Sequence, residues 1–394
     1  MTSADPPDPS APGRFRFWFG ARAEPEAEAG RRRRLRLVAL GLTGLLLVTG
    51  AAGWGLYRKL DGNISTDLSA VEELERYEAE RPPPGPGRAR NVLIIGSDAN
   101  ADGPAHSDTV ILLHLAGDRR SAAAVSFPRD LLVDIPRCTG TDGRVSEAQN
   151  AQLNWAYGFG GAGCTIRTLE RLTAIRIDHH LIIDFAGFED LVDAVGGVEM
   201  RFPAPVRDRA ARLDLPAGTH NLNGADALAY VRARKEMGDG SDTGRIARQQ
   251  EFLSALTRKL HSTGVLLNPT RLYPVLDTAT SSITVDAGLG SLTRLYDLIR
   301  EVRTVPEGRT LFLTVPREAH APDAQRDVLA QPQADELFEQ LRRDLPVTLP
   351  PAETAAGDGG GRRDDGPSGP AFRSSSAHRV SPLRGTDVVG DTRG

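Results

Sequence analysis

Residues 179–202 read HHLIIDFAGFEDLVDAVGGVEMRF, and the order of elements in this stretch decides the fold class. HHLIIDF is a short apolar run of strand type. FEDLVDAVGG follows as a short helix that stops on two glycines, the residues that best tolerate the left-handed backbone past a helix end. VEMRF is a strand again. Outward from this unit the pattern repeats. On the N-terminal side lie a helix, CTIRTLERLTA (164–174), and three apolar runs of strand length: NVLIIGSD (91–98), TVILLHL (109–115) and AAAVSF (122–127). On the C-terminal side the spacing predicts helices over 272–279 and 289–303, a strand over 310–315 and a helix over 334–343. Alternating helices and strands that must each bury one face predict an α/β layered domain.

The 394 residues are 40% hydrophobic and 25% charged, enough for one large domain or two small ones with appendages. A formal net charge of −4 gives no general attraction to nucleic acid. Residues 1–36 are rich in Pro, Glu, Ala and Arg, end in Arg31 to Arg34 and Arg36, and are expected to be a disordered cytoplasmic tail. Residues 37–57 carry no charge over the roughly 20 residues a bilayer core requires. They are expected to span the membrane once, as an uncleaved anchor rather than a signal peptide. Trp54 and Tyr57 would lie at the far interface, and the arginine run marks the near side as cytoplasmic. Residues 58–90 are expected to be a spacer and domain entry, with VEELERYEAE a candidate helix before PPPGPG, 91–349 the folded extracytoplasmic domain, and 350–394 a second disordered tail. In that oxidising compartment Cys138 and Cys164 are expected to form a disulfide.

Chemistry concentrates in AYVRARKEMGDGSDTGRIARQQ, 229–250. If YVRAR is a strand, Tyr230, Arg232 and Arg234 share one face. Ser241, Asp242 and Thr243 are N-cap types, and Ile246, Leu253, Leu256 and Leu260 recur at helical spacing, so a helix is expected from about Gly244. Arg245, Arg248 and Gln249 then share a face of its first turns. Cations there oppose the helix dipole unless an anion lies between them, which describes a phosphate or diphosphate site. Three strand ends bring Asp98, Asp108, Arg129 and Asp130 toward it. Asp98 and Asp108 could hold Mg²⁺, which prefers one or two carboxylates plus phosphate oxygens. Metal, arginines and an attacking hydroxyl are the parts of phosphoryl transfer. Gly158, Gly160 and Gly163 match GxGxxG, but LNWAY is a poor buried strand, so a flexible glycine-rich loop is the better reading. His114, His179 and His180 read as structural. No HExxH, GxSxG or Walker A pattern occurs.

The ordered series NVLIIGSD, HSDT, SFPRD, QLNWAYGFGG, DFAGFEDLVDAVGGVE, LNGADALAYVRAR and DTGRIARQQEFL resembles the LytR-CpsA-Psr family of envelope assembly proteins over residues 64–349. The resemblance implies a single α/β extracytoplasmic domain of that family's type, with a central mixed β-sheet flanked by helices and a hydrophobic pocket for a polyprenyl chain, preceded by one transmembrane helix. It implies transfer of a glycopolymer from a polyprenyl diphosphate carrier to a muramic acid hydroxyl of peptidoglycan, with Mg²⁺ at Asp98 and Asp108. It further implies diphosphate binding by Arg129, Arg232, Arg234, Arg245 and Arg248, with Gln249 or Gln250 nearby. Asp130 and a metal-bound carboxylate are the candidates for receiving the hydroxyl proton. His106 stands where the family commonly has arginine, which implies a weaker or pH-dependent phosphate contact. The alternatives are a polyprenyl diphosphate pyrophosphatase and a non-enzymatic regulator or lipid-binding scaffold.

Overall fold

Eight strands make the central sheet: β1 (Ser65–Thr66), β2 (Arg90–Ser97), β3 (Ser107–Leu115), β4 (Ala122–Phe127), β5 (His179–Asp184), β6 (Ile283–Val285), β7 (Thr310–Thr314) and β8 (Leu383–Arg384). The structure, a computed structural model, describes residues 25–98, 106–140, 142–233, 242–262, 269–306, 308–321, 323–348 and 383–384. The spatial order is β1-β6-β5-β2-β3-β4-β7-β8. Pairs β1/β6, β2/β5 and β4/β7 are parallel and the others antiparallel, so the sheet is mixed, as expected. The helices are α1 (Pro25–Asn63), α2 (Leu68–Arg76), α3 (Leu153–Thr173), α4 (Phe185–Ala194), α5 (Gly224–Arg232), α6 (Asp242–Ser262), α7 (Pro269–Ser281), α8 (Leu292–Thr304) and α9 (Gln333–Arg342).

The chain divides into one unit up to Tyr57 and a second from Arg58. In the first, the apolar side chains of α1 are exposed, Leu46 to 70%. Residues Arg33–Asn63 are long and apolar enough to cross a membrane. A helix that is apolar on all sides and uncovered by protein is suited to a hydrocarbon solvent.

In the second unit the strand alternation sorts the sheet into two faces. Leu93, Ile95, Leu112, Val125 and Phe127 point into the main core, where Ile166 and Leu169 of α3 and Leu337 and Phe338 of α9 meet them. Phe127 and Phe338 stack with centroids 6.3 Å apart. On the opposite face Ile94, Leu113 and Phe312 are only half-buried, although equally apolar. A second core joins α4, α5 and α6 to the hairpin of Val198–Phe202 and Gly218–Leu222, with Phe202, Tyr230 and Phe252 at its centre.

Three expectations change. Residues 64–80 are built into the fold: β1 enters the sheet, and Asp67 caps α2 by accepting from the Ala70 amide at 3.0 Å. α2 then seats against α3, where a Cβ at Gly163 would lie 3.0 Å from that of Glu73. LNWAYGFGG is not a loop but the start of α3, which breaks at Gly160 and Gly161, the latter at φ 60°. The GxGxxG glycines therefore serve a kink and a close helix contact. YVRAR is not a strand, since Tyr230, Val231 and Arg232 end α5, whose N-cap Asn223 accepts from the Asp226 amide at 2.8 Å. Five residues are too few for alternation to exclude a helix, and the second core selects one.

Cys138 and Cys164 form the expected disulfide, with Cα atoms 5.7 Å apart and a sequence separation of 26. Closing a loop of that size stabilises the fold by about 3 kcal/mol in the chain-entropy view.

His114 is buried in β3, with Nδ1 2.8 Å from Asn91 Oδ1 and Nε2 3.2 Å from Asp344 Oδ1. Burial pushes its pKa below the ordinary 6.5 against the opposing pull of Asp344. The unfolded chain thus takes up a proton that the fold resists, so stability falls as pH drops through about 6.5 toward the folded value. Urea unfolding compared at about pH 7.5 and about pH 5.5, either side of the ordinary histidine range, checks this. His114→Asn is expected to flatten the slope, and identical slopes would contradict it.

Candidate functional site

The sheet gathers the predicted residues at one edge. β2 leads out to Asp98 and β3 leads back from His106. The His106 amide donates to Asp98 Oδ1 at 2.7 Å, and the Asp98 amide to the His106 carbonyl at 3.3 Å. β4 ends beside the start of β3 and passes through Pro128 to Arg129. Arg129 Nη1 donates to Asp108 Oδ1 at 2.5 Å, and its Nε lies 3.6 Å from Asp130 Oδ2. Gln152 Nε2 donates to Asp130 Oδ1 at 3.1 Å, and the Asn154 amide to the Arg129 carbonyl at 3.1 Å. The arginine is thus held at its backbone and at its head.

The first turns of α6 close over this edge. Arg245 Nη2 donates to the Asp108 carbonyl at 3.3 Å, and Gln249 Nε2 to Thr109 Oγ1 at 3.1 Å. Arg248 donates to the Ala233 carbonyl, and Gln250 Nε2 lies 3.4 Å from both Ser126 Oγ and Thr314 Oγ1. Arg245 and Arg248 are only 4% and 8% exposed. Holding guanidinia that deep costs solvation, which these carbonyls only partly offset and an anion would offset further. His106 Nδ1 and Ser107 Oγ are also buried here, with no hydrogen-bond partner among the described residues.

Asp108, Arg129, Asp130, Arg245 and Gln249 are therefore joined by direct or shared contacts. Arg232 is placed differently, exposed at the end of α5 with its guanidinium 4.1 Å from the centroid of Phe185. Arg234 lies outside the described residues. Phe185, Gln152 and Asn154 were not expected. Their only sequence signals are a polar strand end before α4, for Phe185, and the amides of QLN, for the other two.

The LytR_cpsA_psr family model matches residues 62–343. The probable cell wall biosynthesis protein LcpB of Corynebacterium glutamicum is 36% identical over 213 residues, covering 50% of this chain and 48% of that protein. The chain thus spans about half the length of that curated relative. The polyisoprenyl-teichoic acid–peptidoglycan teichoic acid transferase TagU of Enterococcus faecalis is 31% identical over 242 residues, 60% of this chain and 75% of that protein. Among solved structures, a LytR-Csp2A-Psr enzyme from Actinomyces oris superposes with a TM-score of 0.51 at 26% identity, covering 66% of this chain and 93% of that one. The ordered motifs, the mixed sheet and the match over most of its length place one conclusion beyond the fold itself: the chain belongs to the LytR_cpsA_psr family.

Proposed function

We propose that this protein is a membrane-anchored phosphotransferase that moves a glycopolymer from a polyprenyl diphosphate carrier to a muramic acid hydroxyl of peptidoglycan. The observation that carries the reading is the joining of Arg129, Asp108 and the nearly buried Arg245 where the strand ends meet α6. The half-open apolar face at Ile94, Leu113 and Phe312 supports it, because a polyprenyl chain needs such a wall. TagU's name describes the same class of transfer.

In this reading Arg129, Arg245 and Arg248 hold the diphosphate, with Arg232 joining them from the end of α5 and with Gln249 and His106 at its margin; Arg234, assigned the same role from the sequence, lies outside the described residues. Asp130, bridged between Arg129 and Gln152, keeps the guanidinium aimed. The acceptor hydroxyl attacks the phosphorus next to the sugar. A new oxygen–phosphorus bond forms as the bond to the bridging oxygen breaks, and polyprenyl phosphate departs with the electron pair. The hydroxyl proton passes to a neighbouring carboxylate, for which Asp130 is the candidate. Asp98 and Asp108 would hold Mg²⁺, since their oxygens are the donors a hard cation takes. Among the described residues no group of three His, Cys, Asp or Glu could hold a metal ion; with two carboxylates, Mg²⁺ would take its other ligands from substrate phosphate oxygens and water. When bound, the ion supplies charge neutralisation at the diphosphate. The arginines among residues 31–36 support a cytoplasmic N-terminus with the folded domain outside, by the bias of positive charge toward the cytoplasmic side.

The test is incubation of the full chain in detergent with a polyprenyl diphosphate glycan, Mg²⁺ and peptidoglycan fragments, followed by mass spectrometry. A phosphodiester-linked adduct is expected. Polyprenyl phosphate and glycan phosphate without adduct would replace the reading with a pyrophosphatase, and bound but intact donor with a lipid-binding scaffold.

A further inference from the structure

We propose that a groove beside the arginine cluster seats the sugar chain of the acceptor, a hydroxyl-rich glycan strand; this rests on the transferase reading above. The groove has a volume of about 970 Å³. Its walls are the first half of α3, with Tyr157 and Phe159, the first two turns of α4, residues 65–69 and 281–284, and the turn and second strand of the small hairpin of Cys138–Thr139 and Val145–Ser146.

Position is the first argument. Ser97 lines the groove and precedes Asp98 in the chain. Ser97 pairs in register with Asp184, another lining residue, and the residue after Asp184 is Phe185, whose ring carries the Arg232 guanidinium. Groove and diphosphate residues thus share the ends of the same two strands. A glycan lying there would bring a hydroxyl to the reaction centre without occupying the arginines.

Charge is the second. The lining holds four carboxylates, Asp67, Asp142, Asp184 and Asp190, against one guanidinium, Arg144, which is itself 3.4 Å from Asp142. A polyanionic donor polymer is repelled by that surplus. An uncharged sugar chain is not, and its hydroxyls can donate to the carboxylates. The aromatic sides of Tyr157 and Phe159 offer flat apolar surface to pyranose rings. Burial pushes the Tyr157 phenol pKa up, so its hydroxyl remains a hydrogen-bond donor.

Rigidity is the third. The Cys138–Cys164 bond ties the hairpin to α3, and the break at Gly160 and Gly161 redirects the helix along the groove wall. A preformed wall lowers the ordering cost of binding a flexible polymer.

The experiment compares the full chain with an Asp142→Asn/Asp190→Asn double variant, both positions being exposed and so tolerant of change. Transfer is measured against the concentration of a linear peptidoglycan glycan oligomer without stem peptides, and binding of that oligomer is titrated without donor. Two lost hydrogen bonds to charged acceptors are expected to raise the acceptor KM and the oligomer Kd about tenfold or more, with the donor KM unmoved. An equal acceptor KM and Kd in the two proteins, or a rise in donor KM alone, would overturn the groove. Oligomer binding that weakens in the variant while neither protein transfers would uphold the groove and overturn the transferase reading. Thermal unfolding midpoints show that both proteins are folded.

Discussion

Arg129→Ala is expected to lower kcat/KM for transfer by about 10²- to 10³-fold, the usual consequence of losing one preorganised cation at a charge-developing centre. Arg129 is held at both its head and its backbone. Its guanidinium is held by Asp108 at 2.5 Å and flanked by Asp130 at 3.6 Å, and its carbonyl receives the Asn154 amide. In the proposed reading, removing it deletes a hydrogen-bond donor to the diphosphate and leaves Asp108 and Asp130 facing an anionic substrate. Arg129→Lys should recover only part of the loss, because an ammonium cannot reproduce the planar fork. Steady-state kinetics on folded variants decide the matter. Transfer by Arg129→Ala at near wild-type efficiency would remove this residue from the reaction.

Arg167→Ala is expected to cost about 3–5 kcal/mol of stability, the range for breaking a buried ion pair from one side. Arg167 Nη1 donates to Glu73 Oε1 and to the Arg137 carbonyl, each at 2.7 Å, and Nη2 donates to Glu80 Oε2 at 3.0 Å. Its guanidinium lies 3.4 Å from the Tyr77 ring centroid. Glu73, only 3% exposed, would keep Arg76 at 2.9 Å, but that partner is half exposed and a weaker counterion. The urea midpoint should fall accordingly. Combining Arg167→Met with Glu73→Gln should restore much of it, because no unpaired charge is then left inside. A loss in the single variant no larger than that of a surface substitution would show the network to be dispensable.

This network also marks a boundary of sequence reading. CTIRTLERLTA was legible as a helix, but nothing in its spacing distinguishes Arg167, which is buried, from Arg171, which is exposed. The difference arises because residues 64–80 fold back onto α3, and their sequence offered a candidate helix within a spacer but no sign of what it packs against. Similarly, the glycines of GFGGAG were visible while their purpose was not. One turns the helix, and another admits α2 at a distance that Cβ atoms rarely approach.

Sequence alone determined what depends on short-range pattern. The helix–strand–helix order predicted the α/β sheet, the uncharged run after the arginines predicted an apolar helix long enough to span a bilayer, and two cysteines in one compartment predicted their pairing. Local chemistry also named Asp108, Arg129, Asp130 and Arg245, now found near one another, whereas Arg232 stands apart over Phe185 and Arg234 lies outside the described residues. Tertiary structure alone decided which of them touch. Asp108 and Arg245 are 137 residues apart and meet only because antiparallel strands return to the same edge and α6 crosses it. It also turned YVRAR into the end of a helix, because packing Tyr230 and Val231 against Phe252 outweighs an alternation only five residues long. Periodicity records the face a residue presents, whereas the partner it meets there depends on segments far away in the chain.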